Sequence, residues 1–231
     1  MAKILFLMSA ADHWTLADGT KHPTGYWAEE FASPYEVFTA AGHEVEVATP
    51  GAVAPTVDEG SLSDEANGGP DAVRRIREVL DSAEPLRRPR AVAEVDPTEY
   101  AAVFVPGGHG PMEDLAVDAD SGRLLDAALA AGVPLGVVCH GPAALLSTGG
   151  DDGESPFRGY RVTAFSNAEE AQAGLADRAP WLLADRLTEM GLDYHEGAPW
   201  EAHIEVDRTV YTGQNPASAR PLAEKMLAAV G

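Results

Sequence analysis

Three unbroken apolar runs constrain this chain more than any other feature: Ile4-Leu5-Phe6-Leu7-Met8, Ala101 to Val105 and Pro134 to Val138. A strand with one wet face alternates apolar and polar residues. A continuous run of strand length suits a parallel sheet covered on both sides. Between the runs lie helical patterns. Trp27, Phe31, Tyr35, Val37 and Phe38 mark one face of a helix that Gly42 can end, and Ala119 to Ala131 reads as another. Val45, Val47 and Ala48 alternate as a second strand, closed by Pro50-Gly51. Strands near Tyr160 to Phe165 and Thr209 to Thr212 follow, with helices near Trp181 to Met190 and Pro216 to Val230. Ser9 to Thr24 and Thr148 to Gly159 read as loops, and Ala52 to Pro97 as irregular chain around a short helix near Asp71 to Leu80. Alternating strands and helices predict an α/β fold, a mainly parallel sheet with helices on both faces. With 231 residues and neither repeat nor linker, residues 1–231 read as a single domain.

Composition narrows the function. No apolar run reaches the ~18 residues of a membrane span, and Met1-Ala2-Lys3 opens straight into a strand-like run rather than a signal peptide. One cysteine can form neither an internal disulfide nor a thiolate cage for a metal. The expectation is a cytoplasmic protein. The formal charge of −21, from 37 acidic and 16 basic residues, repels phosphate backbones and anionic lipid, so neither nucleic acid nor membrane is expected as a partner.

In parallel sheets, ligands bind beyond the carboxyl ends of the strands. Two unusual segments fall there, Pro106-Gly107-Gly108-His109-Gly110 and Cys139-His140-Gly141-Pro142. The second reads as strand, sharp turn and helix, with Pro142 in a first helical turn where no backbone donor is needed. A cysteine used for packing belongs inside the strand. Cys139 sits at the turn instead, where a helix N-terminus would lower its pKa and favour the nucleophilic thiolate. Neighbouring side chains usually diverge, so direct deprotonation of Cys139 by His140 is not assured. The His140 amide and those of Gly107 and Gly108 can face a developing oxyanion.

Val138 to Pro142, the Pro106 to Gly110 loop, Thr212-Gly-Gln-Asn-Pro-Ala-Ser-Ala219 and Thr24-Gly25 with Glu30 and Pro34 to Phe38 together resemble the ThiJ/PfpI superfamily. They are most similar to its branch of small heat-inducible glyoxalase III enzymes and chaperones. The resemblance spans nearly the whole chain. It implies a flavodoxin-like fold with a nucleophile elbow, Cys139 as nucleophile, His140 beside it, Glu30 from the first helix and Glu170 to orient His140. It places Gly107, Gly108 and His109 in the oxyanion and substrate-binding loop, and it implies a homodimer. Glu29 and Glu30 differ by about 100° around a helix, so only one can face the cysteine. The motif selects Glu30.

The implied activity is conversion of methylglyoxal, or a similar small 2-oxoaldehyde, to a 2-hydroxy acid, with no cofactor and no metal. Two alternatives remain open. One is amide hydrolysis or amidotransfer, for which His203-Ile204-Glu205 echoes a His-x-Glu pair, although an apparent strand from Ala202 to Val206 favours a structural role. The other is a stress holdase or a redox sensor. His195, Glu196, His203 and Glu205 could also be metal ligands, but nothing in their spacing fixes a geometry.

Overall fold

The computed structural model describes residues 1–149 and 153–230. Its strands are β1 (Lys3–Leu7), β2 (His13–Thr15), β3 (Lys21–Pro23), β4 (Glu44–Thr49), β5 (Arg90–Ala91), β6 (Ala102–Val105), β7 (Leu135–Val138), β8 (Arg161–Val162), β9 (Asp193–Tyr194), β10 (Ile204–Asp207) and β11 (Val210–Gly213). Seven of them form one sheet in the order β10-β11-β7-β6-β1-β4-β5. Every pairing in it is parallel except that of β10 with β11. β6 and β7 are wholly buried, as is β1 beyond Lys3, because helices cover both faces.

The α-helices are α1 (Ala28–Ala40), α2 (Asp64–Asn67), α3 (Pro70–Ser82), α4 (Glu84–Arg87), α5 (Gly110–Glu113), α6 (Ala119–Ala130), α7 (Asn167–Gln172), α8 (Leu183–Glu189) and α9 (Ala219–Val230). Side chains alternate across a strand, so β1 feeds two cores. Ile4 and Phe6 pack with Phe31 and Phe38 of α1 and Met226 of α9. Leu5 and Leu7 pack with Leu124 and Leu125 of α6 and Leu187 of α8. This is the flavodoxin-like arrangement. None of the described helices is long and apolar enough to cross a membrane.

Several segments differ from the sequence reading. Ser9 to Thr24 is not simply a polar loop. It carries the β2–β3 hairpin, because Trp14 and Leu16 are buried in the core on the α6 side of the sheet. Only Arg161 and Val162 of the 160–165 stretch form a strand, and they pair with β9 outside the main sheet. Thr163 instead donates its N–H to Thr212 Oγ1. The 148–159 segment is not all surface, since Phe157 is fully buried; residues 150–152 lie outside the described residues. The last helix begins at Ala219, after a 3-10 turn over Pro216–Ser218.

The direction of chain progression reverses beside β1, where β4 lies on one side and β6 on the other. Crevices at such switch points collect ligands. The Gly107 to Gly110 loop leaves β6 there, and Cys139 leaves the neighbouring β7.

Candidate active site

Cys139 sits between β7 and a 3-10 turn over Gly141–Ser147, with φ at +60°. A residue with a Cβ pays for that conformation, so the surroundings must enforce it. The Cys139 N–H donates to Gly213 O at 2.9 Å, and its carbonyl accepts the Phe165 N–H at 2.9 Å. The backbone is thus pinned on both sides.

The turn brings the two neighbouring side chains together. Cys139 Sγ lies 3.3 Å from His140 Nδ1, within hydrogen-bond reach for sulfur. Divergence of adjacent side chains was the expectation; the left-handed backbone at Cys139 removes it. The other ring nitrogen, Nε2, is 2.7 Å from Glu170 Oε2. Glu170 therefore fixes the tautomer: Nε2–H donates to the carboxylate and Nδ1 is left free to accept from the thiol. Burial, then the nearby His109, hold His140 below the usual imidazole pKa, which suits a neutral base. Burial opposes the charge on Glu170, yet His140 and His109 outweigh it and keep that carboxyl well below the usual range.

On the other side of the thiol stands Glu30, fully buried near the start of α1. Its Oε2 accepts the Gly107 N–H at 2.7 Å, and Oε1 has no hydrogen-bond partner among the described residues. Burial raises its pKa to about 8, so near neutrality it carries a proton. Glu29 faces elsewhere, paired with Arg75 and Ser33.

Three expectations change. Cys139 is buried, 2% exposed. Burial, then the charge of Glu30, push its thiol up rather than down, against a lowering contribution from the Gly108 N–H. The short 3-10 turn offers little of the macrodipole that a long α-helix would supply. Gly107 is not an oxyanion donor, because Glu30 occupies its N–H; the Gly108 and His140 amides remain. His109 is not only a loop residue: its Nε2 is 2.8 Å from Glu170 Oε1, and its ring stacks on Trp14 at 5.0 Å.

Above the thiol is a cavity of about 70 Å³, with Cys139 and His140 among walls of Trp27, Phe165, Trp200 and Pro216. Drug-sized pockets hold ~300–1,000 Å³, so this one suits a molecule of a few heavy atoms. Gly108 and His109 also line it. Phe165 and Trp200 escaped the sequence reading as walls, since they lie in segments without apolar periodicity.

His203 and Glu205 form a pair at 3.2 Å on and beside the edge strand β10, and neither lines this cavity. His195 pairs with Asp193 and Glu196 with Tyr194, so the four suggested metal ligands do not converge. Among the described residues, the ligand atoms that gather within 4.8 Å belong to His109, His140 and Glu170. There the carboxylate already satisfies both imidazoles.

Comparison with known proteins finds relatives in sequence and in fold. The chain is 28% identical over 233 aligned positions to the protein/nucleic acid deglycase HchA of Staphylococcus aureus (strain JH9), covering 96% of this chain and 77% of the relative. Its structure superposes on the Rapid Encystment Protein of 24 kDa from Francisella tularensis with a TM-score of 0.87, 26% identity and full coverage of both chains. The crystal structure of glyoxalase III from Candida albicans matches with a TM-score of 0.84 and 25% identity, over 99% of this chain and 97% of that one. The profile of the DJ-1/PfpI family spans residues 23–229, from the last residue of β3 to the penultimate residue of α9. That span takes in both glycine and cysteine turns and the helix bearing Glu30, and the chain belongs to the DJ-1/PfpI family.

Proposed function

We propose that this chain is a glutathione-independent glyoxalase that converts methylglyoxal, or a similarly small 2-oxoaldehyde, to a 2-hydroxy acid. One observation carries the reading. A thiol lies within 3.3 Å of an oriented imidazole, beside a buried protonated carboxyl and under a cavity of about 70 Å³. The relatives named deglycase and glyoxalase III support it.

The chemistry follows from the proton positions. His140 Nδ1 takes the Cys139 proton as sulfur attacks the aldehyde carbon, and Glu30 protonates the oxygen to give a hemithioacetal. The Gly108 and His140 amides face the developing oxyanion. Glu30, now a carboxylate, removes the C1 hydrogen to form an enediol and returns it to C2, while the C1 hydroxyl proton passes to the C2 oxygen. The product is a thioester on Cys139. Glu30, again a carboxylate, takes a proton from water as it attacks the thioester, and the protonated His140 returns its proton to the departing sulfur. This releases the 2-hydroxy acid and restores the thiol, the imidazole and the Glu30 carboxyl. The net change adds one water to the substrate. We place the reaction in the cytoplasm, in line with the single cysteine and the acidic composition, and assign the chain to a homodimer by resemblance.

The test is lactate formation from methylglyoxal without glutathione and after chelation, with ammonia release from glutamine followed in parallel. Lactate that disappears in a folded Cys139→Ala variant is the expected result. Ammonia that depends on Glu205, without lactate, would replace this reading with an amidotransferase.

A further inference from the structure

Trp200 is the least economical residue in the neighbourhood of the thiol. It is 46% exposed, an unusual fraction for an indole, and its φ is +65°, in the region that favours glycine. Neither feature serves the core. The position is nevertheless held firmly. Its N–H donates at 2.8 Å to Oε1 of Glu169, a carboxylate with no exposed surface. Its indole Nε1–H donates at 2.6 Å to Gln172 Oε1. Its ring meets Phe165 edge-on at 5.5 Å, and Phe165 lies 4.4 Å from the His140 ring. A strained, exposed residue fixed from three directions calls for a role.

Its location supplies one. The cavity of about 70 Å³ over Cys139 and an outer groove of about 580 Å³ share Trp27, Trp200 and Pro216. The groove continues over Gly60, Ser63 and Ala66, far too wide to select a small molecule by itself. The three shared residues form the partition between groove and cavity, and Trp200 is the most solvent-facing large side chain among them.

We infer that Trp200 is a specificity-determining residue, an indole gate that limits access to Cys139 to small, unsubstituted carbonyl compounds. This inference rests on Cys139 as the reacting atom, but its test does not require the glyoxalase reaction. Alkylation of Cys139 by iodoacetamide and by the bulkier N-phenylmaleimide is timed in the wild type, Trp200→Gly and Trp200→Phe. Glycine removes the ring and also accepts the left-handed backbone, so the substitution adds no backbone strain. Phenylalanine keeps a ring in place.

The ratio of the bulky to the small reagent's rate should rise at least tenfold in Trp200→Gly and less than threefold in Trp200→Phe. In parallel, kcat/KM for phenylglyoxal should rise relative to that for methylglyoxal. An unchanged alkylation ratio in a folded Trp200→Gly protein overturns the gate. A changed ratio with no turnover of either aldehyde keeps the gate and removes the proposed reaction instead. Should Trp200→Gly melt early, Gln172→Ala, which frees the indole N–H alone, must raise the ratio by a smaller factor or the inference falls.

Discussion

Glu30, the proposed acid–base group, also bears on the stability of the fold. An unfolded glutamate loses its proton near ~4.3, whereas Glu30 holds it to about 8 in the folded chain. Between those values the folded state binds the extra proton, so stability falls as pH rises through the window and levels off above it. The contribution is on the order of a few kcal/mol. Glu30→Gln should therefore flatten the decline in melting temperature between pH 5 and 8.5 while lowering turnover about 100-fold or more, as expected for a lost acid–base group. Parallel melting curves for wild type and variant over that range would count against the buried proton. Glu170 is silent in this comparison, because its depressed pKa costs stability only in more acid solution, as pH falls from the unfolded carboxylate value through the folded one. Much of this residue set was legible in the sequence, because turn position, motif order and helical phase singled out Cys139, His140 and Glu30. The direction of the thiol pKa was not. It depends on burial and on a carboxyl 109 positions away in the chain, which no local pattern encodes.

At the scale of elements, the glycine loop and the cysteine turn interlock. A Cβ on Gly107 would lie 2.6 Å from His140 N and 2.8 Å from Val138 O, inside any real contact distance. Gly108 has φ at +87°, and its Cβ would press on Gly25 O at 2.4 Å. Gly107→Ala should thus cost about 1–3 kcal/mol by overpacking and also reduce turnover at least tenfold, since the displaced atom belongs to the elbow. Gly132→Ala is the control: its φ is +72° but none of the described residues comes within 4 Å of an added Cβ, so it should lose stability and keep its turnover. Equal activity losses in both would show that the glycine loop does not position the site. The buried strands and the helices covering them were readable from apolar runs and periodicity. The β2–β3 hairpin was not, because its residues look polar and its anchor, Trp14, packs against segments distant in sequence. Gln214 and Asn215 were visible as a motif without a role. They donate to the buried Glu169, which ties the Trp200 segment to the loop after β11.

For the whole molecule, charge is the dominant property. A formal −21 on 231 residues means that folding gathers like charges together, and mobile ions relieve the repulsion. Melting temperature should rise between 10 mM and 500 mM sodium chloride, by roughly 2–4 °C for each kcal/mol of repulsion screened. A fall would show that ion pairs such as Lys3–Glu46 and Arg161–Glu205 matter more than the net charge. The fold class could be reached from the sequence because every buried strand announces itself. How the sheet ends could not, and that has its own consequence. At one margin β5 offers only two residues, and at the other β10 runs antiparallel and carries Glu205 and Asp207. Neither margin gives a foreign strand a long, neutral ladder to continue. The margins of the main sheet therefore offer little to a further copy, and a crowded solution of this chain is protected against edge-on polymerisation even while the sheet itself stays intact.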